Sequence, residues 1–233
     1  MLLAHALGVP RTALFLRREA PVPERFAGLI ARRAAREPVA YIVGAKGFRH
    51  LELDVDGRAL VPRPETEHLV EAALGLPAGA RVVDVGTGSG ALALALKHER
   101  PDLEFVGTDS SAAALDVARS NGARLGLDVG WVQGDLLAGV GPVDAVVSNP
   151  PYVATGSALP PELEFEPSGA LLAGAEGMDV LERLVPAAAA SGAAFVAVEV
   201  GDGQAAAVAA LFGSAVEVVP DLAGVDRVLV WRC

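Results

Sequence analysis

Cysteine is almost missing from this 233-residue chain: the one copy, Cys233, is its last residue. A disulfide within the chain is therefore excluded, and a reducing cytoplasm is the expected compartment. A thiol at the chain end has no neighbours to activate it, so no chemistry is assigned to it. No apolar run reaches the ~18 residues of a membrane span. Met1 to Gly8 also lacks the charged leader and long apolar stretch of a signal peptide. Lysine occurs only at Lys46 and Lys97, beside abundant alanine, glycine and arginine, which reads as coding bias. An excess of positive charge is lacking too. The formal net charge of −10 argues against tight non-specific binding to duplex nucleic acid.

What charge there is lies unevenly. Residues 1–40 hold seven arginines (11, 17, 18, 25, 32, 33 and 36) against Glu19, Glu24 and Glu37, a net +4, which leaves about −14 for the remainder. A solvated helical surface explains this, and so does a docking face for a partner. Residues 2–8 and 24–36 have helical spacing, with Leu2, Leu3 and Leu7 on one face and Phe26, Leu29 and Ile30 on another. Pro10, Pro21 and Pro23 punctuate this lead-in, which is too short to hold a core alone.

The period then changes to two. Phe48 to Val55 alternates, Asp56-Gly57 is a turn signal, and Arg58 to Val61 returns, so a β-hairpin is expected within residues 41–63. Pro62-Arg63-Pro64-Glu65-Thr66-Glu67 follows, leading into a helix from His68 to Leu74. Proline and acids suit a helix start. The run is long for that purpose alone, and Arg63, Glu65 and Glu67 are kept as cleft candidates.

From Arg81 the chain reads strand, helix, strand. Strands are expected at residues 82–85, 104–108, 129–133, 143–147, 194–200, 216–219 and 227–231, with helices from Ala91 to Lys97 and from Ser110 or Ser111 to about Asn121. Valine-rich runs without alternation are the pattern of a parallel sheet buried on both faces. The last two strands have no helix between them, so one edge is antiparallel. The organisation is thus a helical segment (1–40), a hairpin linker (41–63) and a seven-stranded α/β domain (64–233).

Two constellations carry chemistry. Gly86-Thr87-Gly88-Ser89-Gly90 follows the first sheet strand and opens a helix, where glycine lets backbone amides approach a ligand. Asp109 stands 23 positions after Gly86 at the next strand end, where a carboxylate accepts from both hydroxyls of a ribose. The loop lacks the Lys-[Ser/Thr] pair of a P-loop, and its G-x-G-x-G spacing weakens a nicotinamide reading. S-adenosylmethionine, with a ribose and adenine but no phosphate, is the favoured cofactor. Asp84 would then face its charged amino-acid end, and Asp135-Leu136 the adenine edge, though Leu136 is equally well explained as core. No metal is expected.

The second constellation is Asn149-Pro150-Pro151-Tyr152 at the end of the Val143–Val147 strand. Prolines there cannot continue the strand, and open α/β sheets hold ligands outside their carboxyl ends. The Asn149 side chain and the Pro150 carbonyl form a rigid pair of acceptors, with Tyr152 as a wall, suited to a planar NH2 group.

With those residues in view, the chain resembles the adenosylmethionine-dependent glutamine methyltransferases that modify peptide chain release factors (the PrmC/HemK type). The resemblance rests on EPVAYIVGAKGF (37–48), VPRPETEHLVE (61–71), VVDVGTGSGALALAL (82–96), SNPPYV (148–153), EPSGALLAG (166–174), EVGDGQ (199–204) and DLAGVDRVLV (221–230). It implies a Rossmann-like class I methyltransferase fold. Residues 86–90 and Asp109 would hold the cofactor with Leu136 and Asn149 near it, and Asn149 to Tyr152 would hold the target glutamine amide. The helical lead-in is shorter than the family's usual one, and Leu136 stands where some relatives have an aromatic.

An amide nitrogen is a poor nucleophile because its lone pair is delocalised. The expected device has Asn149 and the Pro150 carbonyl each accept one amide hydrogen, so orientation and electrostatics supply the acceleration. Catalytic roles therefore fall to Asn149, Pro150 and Tyr152, in a monomeric enzyme whose partners are release factors and which forms no stable nucleic-acid complex. The alternatives are a ribosomal-protein glutamine methyltransferase, an amino-methyltransferase acting on adenine or guanine, and a non-catalytic adenosylmethionine-binding subunit.

Overall fold

Strands buried along almost their whole length need cover on both faces, and the helices of this chain supply it. The computed structural model describes residues 1–17, 19 and 21–233; Arg18, counted above in the basic lead-in, lies outside them.

Helices α1 (Leu2–Leu7), α2 (Arg25–Ala34) and α3 (Val39–Val43) pack on one another. The lead-in is fastened by its own charges. Arg32 pairs with Glu37, while Arg33 and Arg36 reach Glu162 at 2.7 and 3.0 Å. Reversing those three arginines would unfasten the lead-in from the loop that holds Glu162, whatever else it did to a docking face.

The hairpin differs from expectation. Its strands are β1 (Ala45–Phe48) and β2 (Leu51–Asp54), and the turn between them is Arg49-His50, not Asp56-Gly57. Arg49 takes a positive φ of 50° that only its surroundings explain. Its backbone N–H donates to Glu67, and its guanidinium bridges Glu99 at 2.9 Å and Glu71 at 3.0 Å. Glu67 therefore serves the hairpin and not the cleft. Asp56 still turns the chain, accepting from Ala59 N and from Arg58, but no strand returns there.

A 3₁₀ turn, Pro64–Thr66, leads into α4 (Glu67–Ala73). The main sheet follows: β3 (Arg81–Val85), α5 (Ala91–Glu99), β4 (Glu104–Asp109), α6 (Ala112–Leu125), β5 (Gly130–Gln133), β6 (Ala145–Ser148), α7 (Leu181–Ala190), β7 (Phe195–Glu199), α8 (Ala205–Phe212), β8 (Glu217–Pro220) and β9 (Asp226–Arg232). Strand order is β5-β4-β3-β6-β7-β9-β8. All neighbours are parallel except β9, which runs antiparallel between β7 and β8. Ser111 caps α6, its side chain accepting from Ala114 N. Alternation along β3 sends Val82 into one apolar layer, with Leu92, Leu94, Phe105 and the hairpin residues Phe48 and Leu53. Val83 and Val85 enter the other, with Leu181, Leu184 and Val208. No helix among the described residues is long and apolar enough to cross a membrane.

One tight contact ties the sheet to the glycine turn. Gly107 of β4 lies beneath Trp131, and a Cβ there would stand 2.5 Å from the indole and 2.9 Å from the Thr87 hydroxyl. Gly107→Ala is expected to destabilise the protein by about 1–3 kcal/mol, read as a lower urea midpoint at unchanged slope.

Candidate active site

The chain leaves β3 toward β4 on one side and, later, continues from β6 to β7 on the other. The switch point therefore lies between the carboxyl ends of β3 and β6, the place where open α/β sheets bind ligands. Val85 and Ser148 are register partners there, and the Ser148 hydroxyl donates to Val85 O at 2.6 Å. That bond brings the turn at 86–90 and Asn149 to the same crevice.

Gly86, Gly88 and Gly90 all have positive φ (72°, 57° and 82°), a path closed to ordinary side chains. Nothing lies within 4 Å of where a Cβ would stand at Gly86 or Gly88, so the turn is an open cradle. It is pinned from below. Gly86 N and Thr87 N both donate to Thr108 O at 2.8 Å, and the Thr87 hydroxyl donates to Asp84 Oδ2 at 2.6 Å. Asp84 is fully buried and also accepts from Ala93 N; burial pushes its carboxyl up to about 7. Asp109 accepts from Gly88 N (3.0 Å) through Oδ2 and from Ser111 N (2.9 Å) through Oδ1. These bonds fix the carboxylate while lone pairs remain for a ribose.

The crevice is walled by Phe48, Leu60, Pro62 and Arg63, floored by residues 86–89, and reaches Asn149 and Thr66. It encloses about 50 Å³, room for the reacting end of a ligand; Asp109 lies outside it along the strand ends. A larger cavity of about 510 Å³ sits at the opposite end of the sheet, between residues 72–80 and Asp144, Phe195 and Cys233. It has neither the glycine turn nor the strand carboxyl ends, and the crevice is the better site.

Of the remaining candidates, Asp135 is turned to solvent and paired with Arg183 of α7, outside the crevice. Leu136 has a positive φ of 52°, packs half-buried on the apolar layer of β3, and its carbonyl accepts from the Thr108 hydroxyl. Arg63 is bound to the buried Glu166 at 2.6 Å, and Glu166 also accepts from Val61 N, which holds the PRPETE segment against the crevice. Pro150 is buried, and among the described residues nothing donates to its carbonyl.

Three residues escaped the sequence reading: Thr66, Glu199 and Gln204. Asn149 Nδ2 donates to the Thr66 hydroxyl at 2.8 Å, the Thr66 hydroxyl donates to Glu199 Oε2 at 2.7 Å, and the Tyr152 hydroxyl donates to Glu199 Oε1 at 3.2 Å. Glu199 is completely buried at the end of β7. Burial pushes its carboxyl up, while the two hydroxyls and then Arg227 draw it back; burial, and after it the neighbouring Glu199, raises Tyr152. An acid closing the apolar run Phe195–Val198 was the available signal, since buried carboxylates need partners. Gln204 completes the frame, donating to Tyr152 O and accepting from Gly201 N.

A doubly wound sheet with a glycine cradle at its switch point is a site for a nucleoside-bearing ligand, and residues 48–162 match the family described as Methyltransferase small domain, which sets the chain in the class of Rossmann-like methyltransferases that depend on S-adenosylmethionine. A methyltransferase from Pyrococcus furiosus shares the fold, with a TM-score of 0.62 at 19% identity over 87% of this chain and 98% of its own. Residues 1–44 match the family described as PrmC N-terminal domain. The release factor glutamine methyltransferase of Deinococcus radiodurans is 44% identical over 243 residues, covering 97% of this chain and 87% of its own length. That of Xylella fastidiosa is 41% identical over 250 residues, covering 100% and 91%. The chain belongs to the release factor glutamine methyltransferase family.

Proposed function

We propose that this enzyme transfers a methyl group to the side-chain amide nitrogen of the glutamine in the Gly-Gly-Gln motif of peptide chain release factors, modulating translation termination. The observation that supports the reading is Asn149 lining the switch-point crevice, in a chain of this family.

The glycine cradle and Asp109 fit S-adenosylmethionine by the chemistry of their donors: backbone groups without phosphate-binding lysine, a fixed carboxylate for vicinal hydroxyls, and the buried Asp84 beside the crevice. When bound, the cofactor supplies an electrophilic methyl group. Asn149 Oδ1 and the Pro150 carbonyl accept the two hydrogens of the target amide, fixing its plane and favouring the positive charge that grows on nitrogen. Phe48, Leu60 and Pro62 exclude water, and Tyr152 is held beside the grip by Glu199 and Gln204. The lead-in of residues 1–40 serves as the docking segment for the protein substrate and 41–63 as the linker. The single terminal cysteine and acidic balance suit a cytoplasmic monomer with no stable nucleic-acid complex.

The test is transfer of labelled methyl from S-adenosylmethionine to purified release factor, beside a copy with the Gly-Gly-Gln glutamine changed to alanine. Label on the first alone is the expected result. Label on neither, with ribosomal protein or RNA labelled instead, would overturn the target and keep the fold.

A further inference from the structure

We infer that Thr66 and Glu199 are positioning residues that set which way the Asn149 amide faces, and so make the grip an acceptor for NH2 groups. The inference deepens the reading above and rests on it for the identity of the target.

The argument is one of donor count. Glu199, when ionised, has no proton to give, and both its oxygens are taken by hydroxyl protons, from Thr66 at 2.7 Å and from Tyr152 at 3.2 Å. A threonine hydroxyl has a single proton. Once that proton is spent on Glu199, the Thr66 oxygen only accepts, and the Asn149 group 2.8 Å away must be its NH2. The opposite end of the same planar amide, Oδ1, is thereby directed away from Thr66. Asn149 and Thr66 line the crevice together, so the oxygen is the atom offered to a ligand. An asparagine without this constraint rotates between two near-isosteric states. One presents an acceptor to the target amide and the other an NH2 that repels it. Tyr152 holds the second oxygen of Glu199 and keeps the carboxylate from rotating off Thr66. The hydrogen-bond chain runs through three separate segments: the 3₁₀ turn before α4, the loop after β6 that carries both Asn149 and Tyr152, and the end of β7. This gives PRPETE and EVGDGQ a shared purpose that a helix start or a strand end alone does not supply.

Three variants test it: Thr66→Val, which keeps shape and removes the hydroxyl; Thr66→Ser, which restores it; and Glu199→Gln, which adds a competing donor. The expected result is a kcat loss of roughly 30-fold or more for Thr66→Val and Glu199→Gln. The KM for release factor and the cofactor Kd should stay within about threefold, with Thr66→Ser returning most of the rate. A second readout needs no activity. The chain has only two asparagines, Asn121 and Asn149, and two glutamines, Gln133 and Gln204, so four side-chain amide pairs appear in an ¹⁵N spectrum. The Asn149 pair, assigned by its absence from Asn149→Ala, should show one slowly exchanging proton in the wild type and lose it in Thr66→Val. Wild-type kcat in Thr66→Val, or an Asn149 pair unchanged in both Thr66→Val and Glu199→Gln, overturns the inference. So does a Thr66→Ser enzyme as slow as Thr66→Val at equal Tm, which would reveal packing alone. If the wild type labels another amino-bearing target in place of release factor, the proposed target falls. The same variants then read the device on that other target.

Discussion

Asn149→Ala is expected to lower kcat for methyl transfer to release factor by roughly 10³-fold, the scale set by removing a preorganised polar partner of the reacting group. Cofactor affinity should fall far less, by about threefold or under, because the cradle at 86–90 and Asp109 are held by their own bonds to Thr108, Asp84 and Ser111 and do not depend on Asn149. Stability should change little, since Asn149 is half-buried and its partner Thr66 keeps its bond to Glu199. Single-turnover rates with calorimetric titration of S-adenosylmethionine separate these quantities. Turnover near that of the wild type would remove Asn149 from the mechanism. An equal collapse of cofactor binding would assign it to the cofactor site instead.

The parts of the candidate site that stand out in the sequence are those whose causes are local. Gly86, Gly88 and Gly90 announce themselves because no other residue takes their backbone path cheaply, and Asp109 because strand ends of a parallel sheet are legible from valine runs. The hairpin turn was misplaced because Arg49 is an unsuitable turn residue by propensity. Three glutamates from α4 and α5 hold it there, and such long-range anchoring overrides Asp56-Gly57. Glu67 was suspected of cleft chemistry for the same reason: an acid in a motif cannot be told from an acid serving a distant arginine. Thr66 and Glu199 are 133 positions apart, and only the sheet order brings β7 beside the 3₁₀ turn. Asp135 is expected at the adenine edge from its place after the third sheet strand, whereas the chain turns it outward to Arg183.

Asp84→Asn is expected to stabilise the cofactor-free protein at pH 8 while weakening cofactor binding. Burial raises the Asp84 carboxyl from the ordinary value of 3.8 to about 7. Between those values the folded protein holds a proton that the unfolded chain releases. The stability this gives is fully present below about pH 4 and is lost as pH rises through 7. At pH 8 the group is ionised in both states, and the folded state bears a buried charge at a cost on the order of a few kcal/mol. Both bonds that Asp84 accepts, from Thr87 and Ala93, go to the same oxygen, Oδ2, so the amide oxygen of asparagine can take them over. The variant should therefore have a higher Tm than the wild type at pH 8 and a flatter stability profile between pH 4 and 7. A lower Tm at pH 8 would mean that the charged bond from Thr87 outweighs the desolvation. The charge is explained by what it faces. Asp84 lines the crevice, and a cofactor carrying a sulfonium and an ammonium group would favour its ionised form. Binding near pH 6.5 should then release a proton from the wild type, seen as a dependence of calorimetric heat on the ionisation enthalpy of the buffer. Asp84→Asn should bind roughly tenfold more weakly at pH 8, the equivalent of about 1.4 kcal/mol, and release none.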